Sequence, residues 1–353
     1  MNDVVAGLGE RLVLVDVGAS GGTPRIWRDL ASHAVYVGFD PDAREIRETR
    51  AGDFARAVYV NKAVTGAAPS RGDDGSSSDV HFYLTHSPYC SSTLKPNPQV
   101  TESFLSAGSF QIEGECTAHA TTIAHALEAL GLSHVDWLKI DTQGTDLSIF
   151  KSLPDAMRRR LLAVDLEPGL RGAYVGEELF SDVHRAMQQE GFWLSRLDVL
   201  GLPRMRKATL DQIGKTCGLT DETITQSVRK TPGWVECRYL RTLESLAELG
   251  AARREYVLLW AFAFADQQWG YCLDVATEFA RRFPADALTA TLAEAPLAQI
   301  RRALDEQARP SHRGLVARVK QRVKSVLAPL GLRRALAHLR SRPVALRPAL
   351  PSH

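Results

Sequence analysis

Seven short runs rich in β-branched and aromatic residues, most of them closed by a glycine or an acid, constrain this chain more than any other feature. They are RLVLVDV (11–17), AVYVGFD (34–40), AVYVNKAV (57–64), VHFYLT (80–85), VDWLKID (135–141), LLAVDLE (161–167) and FWLSRLDVLG (192–201). Runs of this length and composition read as strands, and the continuously apolar ones as buried parallel strands. Helical signals lie between several of them. Thr23 can cap a helix that starts at Pro24 and places Ile26, Trp27 and Leu30 on one face. PDAREIRETRAG opens a second helix, 121–131 ends a third on Gly131, and 177–190 forms a fourth. Strand and helix in alternation predict an α/β fold, a Rossmann-like doubly wound, mostly parallel sheet with helices on both faces.

The pattern changes near Pro203. Helices are expected from about 207 to 308, with 273–283 amphipathic and YVLLWAFAFA (256–265) buried. With 353 residues the chain is long for one α/β core, so three parts are expected: 1–203, a helical region 204–308 and a tail 309–353. A net charge of +2 gives no case for nucleic acid, but beyond Glu306 there are nine Arg, two Lys and no acid. In that tail Val316, Val319, Val323, Val326 and Leu327 share a helical face, with Arg318, Lys320, Arg322 and Lys324 elsewhere. A basic amphipathic helix suits peripheral contact with an anionic membrane or docking on a partner.

Five cysteines without a CxxC pair argue against a zinc module or a disulfide framework, and fit a cytoplasmic protein. No apolar run approaches membrane-spanning length, and the N-terminus lacks the basic start of a signal peptide.

The ligand signal is DVGASGG (16–22), a glycine-rich turn after the first strand, with Asp40 closing the second strand 22 residues after Gly18. In an open α/β sheet a ligand lies beyond the strands' C-terminal ends, and an acid there can hold a ribose. The spacing serves NAD and S-adenosylmethionine alike. Two details favour the methyl donor. Ser20 stands where GxGxxG needs its second glycine, and Asp16 would repel a pyrophosphate but not a sulfonium.

The wording DVGASGG, VGFDPD, VNKAV, SSTLKP, DWLKIDTQGTDLSIF and VDLEPGLRGAYVGEELF resembles the FkbM-like family of class I S-adenosylmethionine-dependent methyltransferases, over about residues 11–200. The resemblance implies O-methylation of a hydroxyl on a sugar, glycan or natural product. It implies that Asp16, Gly18, Ala19, Ser20 and Gly22 form the loop on the methionine side, that Asp40 holds the ribose and that Asn61 lies near the adenine or ribose edge. Family members often carry Asn where this chain has Ser20.

An alcohol acceptor must lose its proton as it attacks, so a base is needed near the methyl group. Asp141 ends the fourth core strand, with Lys139 on the same strand face, and Glu167 ends the next strand. These three are the candidate catalytic residues, with Lys139 either a base or the partner of a carboxylate. Two carboxylates at one sheet edge can clamp hydroxyls, activate one or hold a divalent metal, though no metal site is predicted. Asp165 shares the face of Glu167, and pairing with Arg171 or Lys139 is the bland alternative. The long loop HSPYCSSTLKPN offers His86, Tyr89, Ser91 and Ser92 as an acceptor lid, and Tyr174 a turn above the site. His119 and Cys90 are weaker candidates, since a lone His is more often structural and Cys90 has no His at a recognisable spacing. An NAD-linked oxidoreductase and a non-catalytic scaffold are the competing readings.

Overall fold

The computed structural model describes residues 1–20, 22–42, 53–66 and 79–308. Met1–Leu297 form one compact unit, and the described helical residues from Ala298 to Ala308 begin a second. Among the described residues of the first lie ten strands: β1 (Leu12–Val17), β2 (Ala34–Phe39), β3 (Arg56–Val60), β4 (Ala63–Val64), β5 (Asp79–Thr85), β6 (Ile112–Thr121), β7 (Trp137–Ile140), β8 (Ala163–Leu166), β9 (Phe192–Pro203) and β10 (Lys230–Arg241). Seven form the main sheet in the order β3-β2-β1-β7-β8-β10-β9. Its pairings are parallel from β3 to β8, and β10 runs antiparallel to both neighbours. The expected Rossmann-like, mostly parallel sheet is therefore present. The order reverses between β1 and β7, which opens a crevice beyond their C-terminal ends.

The sequence of β1 explains its place at the centre. All six residues are buried, and the pleat sends alternate side chains to opposite layers. Val13, Val15 and Val17 join Val37, Leu138 and Val164 in one layer. Leu12 and Leu14 join Trp27, Tyr36 and Trp137 in the other, against the helix Arg253–Ala265. That helix is buried continuously from Tyr256 to Ala263, so its apolar run reflects a core position.

On this second face the apolar rows give way to charge near the C-terminal edge. Asp16, Lys139, Asp165 and Arg238 are cross-strand partners on β1, β7, β8 and β10, alternating in sign. Lys139 Nζ donates to Asp16 Oδ1 at 2.9 Å. Arg238 holds Asp165 through Nε at 2.7 Å and Nη2 at 3.1 Å, and Asp266 through Nη1 at 2.5 Å. A sheet can bury such a row only because every member is paired. Gly38, opposite Asp16, is part of the arrangement. A Cβ there would stand 2.8 Å from the Tyr36 hydroxyl, which donates to Asp16 Oδ2 at 3.2 Å.

Several expectations need correction. Residues 25–33 form a 3-10 helix with Pro24 as N-cap, in place of an α-helix capped by Thr23. The expected strand 57–64 is two strands: β3 stays in the main sheet, and β4 joins β6 and β5 in a three-stranded sheet. β6 was not anticipated. The helical reading after Pro203 fails at β10, an internal strand of the main sheet that carries Trp234, so the sheet runs past the Pro203 boundary. The expected helix over 41–52 lies mostly, and the turn 67–79 and the basic tail almost or wholly, outside the described residues.

Candidate active site

One step beyond the alternating row, at the mouth of the crevice, the next residues on the same face are Gly18, Asp141, Glu167 and Glu236. Gly18 and Asp141 meet closely. Asp141 N donates to Val17 O at 3.0 Å, and a Cβ on Gly18 would lie 2.1 Å from the Asp141 carbonyl oxygen. Gly18 also has φ +79°, so two constraints require glycine there.

The carboxylates of this row repel one another. Burial, then the charge of Asp141 and a hydrogen bond shared with it, push Glu167 up to about 9, with Glu236 and Asp146 adding to the effect. Glu167 therefore carries a proton at neutral pH and can donate it toward Asp141. Asp146, at the start of the helix Asp146–Ser152, was missed by sequence reasoning. It accepts from Thr142 N at 3.1 Å, Thr142 Oγ1 at 2.7 Å and Glu167 N at 2.9 Å. It thus clamps the end of β7 to the end of β8. Burial and the Asp141 charge raise it to about 6 despite these bonds.

Gln143 was also missed. Its backbone is left-handed at φ +58°, uncommon for a residue with a side chain. Its Nε2 donates to Asp141 Oδ1 at 2.8 Å, and its carbonyl accepts from Ser92 Oγ at 2.8 Å. The Tyr174 hydroxyl lies 3.2 Å from Gln143 Oε1 and donates to Cys90 O at 2.9 Å. Ser92 and Tyr174, expected at the acceptor side, are both buried and joined to Asp141 through Gln143. The other loop residues point elsewhere. His86 binds Glu113 of β6 at 2.5 Å, Ser91 Oγ accepts from Thr85 N at 3.1 Å, and Tyr89 is exposed. Cys90 enters the network only through its backbone carbonyl, while burial raises its thiol.

Three site assignments change role. Lys139 is locked to Asp16. Burial opposes its charge, but Asp16, Asp141 and Glu167 outweigh it and raise its pKa, so it is no base. Asp16 is fully buried between Lys139 and Tyr36, so it positions the strand end and cannot itself meet a ligand. Asp165 pairs with Arg238, a partner not considered from sequence, and stays out of the crevice. His119, at 2.7 Å from Asp79, sits in the small sheet.

On the cofactor side, Gly18 N and Ala19 N both donate to Phe39 O at 3.0 Å, which docks the loop on the end of β2. Ala19 is buried, Ser20 half-buried, and Gly22 turns at φ +100° with no described residue close to where its Cβ would stand. Asp40 closes β2, 7 % exposed, with its Oδ1 accepting from Asp42 N at 2.7 Å. Asn61 Nδ2 donates to the carbonyls of Asp40 and Pro41, each at 2.9 Å, so it braces the turn that carries Asp40. Among the described residues no group of three or more His, Cys, Asp or Glu is placed to hold a metal ion, and no helix is long and apolar enough to cross a membrane.

Residues 16–194, which contain every element of this site up to β9, match the family model described as Methyltransferase FkbM domain. A comparison with curated proteins found no match.

Proposed function

We propose, from the premise that this chain belongs to the FkbM methyltransferase domain family and is a methyltransferase, that it is an S-adenosylmethionine-dependent O-methyltransferase acting on a hydroxyl of a sugar, glycan or glycosylated metabolite. The observation that carries the reading is the placement of two carboxylates, Asp141 and Glu167, at adjoining strand ends at the mouth of the β1/β7 crevice. S-adenosylmethionine would supply a methyl group already activated for displacement, held by the loop Gly18–Gly22 and by Asp40. The residues fit that donor better than a dinucleotide. A pyrophosphate is normally cradled by loop amides at a helix N-terminus. Here the amides of Gly18 and Ala19 face Phe39 O, and the next helix is a 3-10 helix entered through Pro24.

The chain's own residues then have separable tasks. Glu167, raised by burial and its acidic neighbours, keeps its proton near neutral pH, and Asp141 beside it is the carboxylate that would take the acceptor hydroxyl's proton. Gln143 Nε2 fixes the orientation of Asp141, and Asp146 fixes the backbone of Glu167. Ser92 and Tyr174 tie the loop 86–97 to Gln143, the neighbour of Asp141.

Calorimetric titration with S-adenosylhomocysteine and with NAD separates the two cofactor readings, and only the first should bind. Asp40→Ala should weaken it at least tenfold, and unchanged affinity would remove Asp40 from the ribose. Transfer of labelled methyl into a glycan-containing cell extract should fall at least a hundredfold in Asp141→Asn. Equal labelling by wild type and variant would remove the catalytic role of Asp141.

A further inference from the structure

We propose that Glu236 and Trp234 select the acceptor, and that the acceptor carries a protonated amine beside its hydroxyls, as an amino sugar does. This acceptor class deepens the methyltransferase reading above and rests on it. The register of β10 places both residues at the site. Cys237 lies opposite Leu166, the last residue of β8, and Arg238 opposite Asp165. The next residue of β10 toward the mouth, Glu236, therefore stands beside Glu167. Past the end of β8 the chain stays laid along β10. Val235 N donates to Pro168 O at 3.1 Å, Leu170 N donates to Gly233 O at 2.9 Å, and Gly169 bridges to Trp234. Trp234 thus follows Glu236 on the same face. Asp141 in turn stands beside Glu167, since Lys139 and Ile140 lie opposite Asp165 and Leu166. Asp141 and Glu236 are then two strand spacings apart, about 10 Å, which one hexose ring with its substituents spans.

Glu236 is exposed, and among the described residues it has no hydrogen bond or ion pair, although three cations share its face of the sheet. Each of them is taken by another acid. Lys139 is bound to Asp16, Arg238 to Asp165 and Asp266, and Arg196, opposite Arg238 on β9, to Asp198 at 2.6 Å. The Glu236 charge is felt at the site, since it adds to the burial and the Asp141 charge that raise Glu167. Trp234 is equally uncommitted. It is half-buried, belongs to neither hydrophobic layer of the sheet, and its ring meets no aromatic or guanidinium group among the described residues. Gly169 opposite it adds no side chain. The space a Cβ would fill there is taken by Glu177 Oε1, while Glu177 Oε2 accepts from Tyr174 N at 3.1 Å. An indole face beside a free carboxylate holds an ammonium group through cation–π attraction and an ion pair together. A phosphate or a carboxylate placed there would be repelled. An amine held by Glu236 and Trp234 leaves a hydroxyl of the same ring to reach Asp141.

The test uses the full chain, with and without S-adenosylhomocysteine, and reads binding by ligand-observed NMR titration. The probes are the methyl glycosides of glucosamine, galactosamine and mannosamine, the matching neutral hexoses and the matching uronic acids. Low salt and about pH 6 keep the amines protonated and Glu236 ionised. At least one amino hexoside should bind wild type about tenfold more tightly than its neutral counterpart, and the uronic acid should bind most weakly. Glu236→Gln keeps the side chain's shape at an exposed position. It should abolish that preference, with S-adenosylhomocysteine affinity and thermal midpoint unchanged. Trp234→Phe, which keeps a ring, should retain more of the preference than Trp234→Leu, and equal loss in both would remove Trp234 from the pair. A wild type that binds no amino hexoside better than its neutral counterpart, or a Glu236→Gln chain that keeps the preference, would overturn the amine subsite. Methyl transfer to a neutral sugar without that preference would overturn it too, and would leave the methyltransferase reading intact. The preference without any S-adenosylhomocysteine binding would support the subsite and count against the cofactor reading alone.

Discussion

At the scale of single residues, the site is governed by acids that burial and neighbouring charge hold above their ordinary values, Glu167 and Asp146. Glu167 has an ordinary value near 4.5 and about 9 in the folded chain. Because the folded value is the higher, the protonated form is favoured by folding. That contribution is fully present below about pH 4.5 and is lost as pH rises toward 9. Glu167→Gln keeps the shape and cannot ionise. It is therefore expected to match wild-type stability near pH 4 and to exceed it by several kcal/mol, at most about 6, near pH 9. Urea midpoints at the two pH values test this, and a constant difference between them would show that Glu167 is not raised. Gln143 offers a cleaner separation of fold from function. Glycine tolerates φ +58° at no steric cost, so Gln143→Gly removes the link to Asp141 while relieving about 1 kcal/mol of backbone strain. Its thermal midpoint should hold or rise while kcat falls at least tenfold. An unchanged kcat would leave Gln143 a structural turn residue only.

At the scale of elements, the row Asp16–Lys139–Asp165–Arg238 binds four strands that come from three distant parts of the sequence. Arg238 is the member with most to lose, since its removal strands Asp165 and Asp266 together in a buried setting. Arg238→Ala should cost about 3–5 kcal/mol, measured by chemical denaturation, and a loss below about 1 kcal/mol would mean that water replaces the guanidinium. The same strand shows what the sequence conceals. β1, β2, β7 and β8 were legible because they are buried on both faces and read as apolar runs. β10 was not, because Pro232 and Gly233 look like a break, and the sheet absorbs them with an irregularity between Pro232 and Trp234. β6 was hidden for the opposite reason. Most of its residues are exposed or half-buried, so no hydrophobic period marks it. The carboxylates of the site were found because strand ends are legible. The pairing of Asp165, the immobilisation of Lys139 and the hub at Gln143 were not, because each depends on which strand lies alongside.

At the scale of the whole molecule, charge is divided between the body of the chain and its end. With 43 basic and 41 acidic residues in all, and eleven basic and no acidic ones beyond Glu306, the sequence up to Glu306 carries nine more acids than bases. A net charge of +2 conceals this polarity. Near an anionic bilayer each basic residue gains about 1 kcal/mol within a Debye length of the surface, while the acidic body is repelled. Attraction through 309–353 can prevail only if those residues reach the surface ahead of the body, as an amphipathic basic segment would. The full chain is therefore expected to co-sediment with phosphatidylserine-containing vesicles at about 0.05 M salt and to be released at about 0.5 M, where screening shortens the range of the interaction. Neutral vesicles should not bring it down, and a chain ending at Ala308 should stay in solution in every case. The competing outcome is that the basic segment satisfies itself on the acidic body of the same molecule. In that case the full chain would ignore anionic vesicles even at low salt, and a membrane-borne acceptor would lose its support.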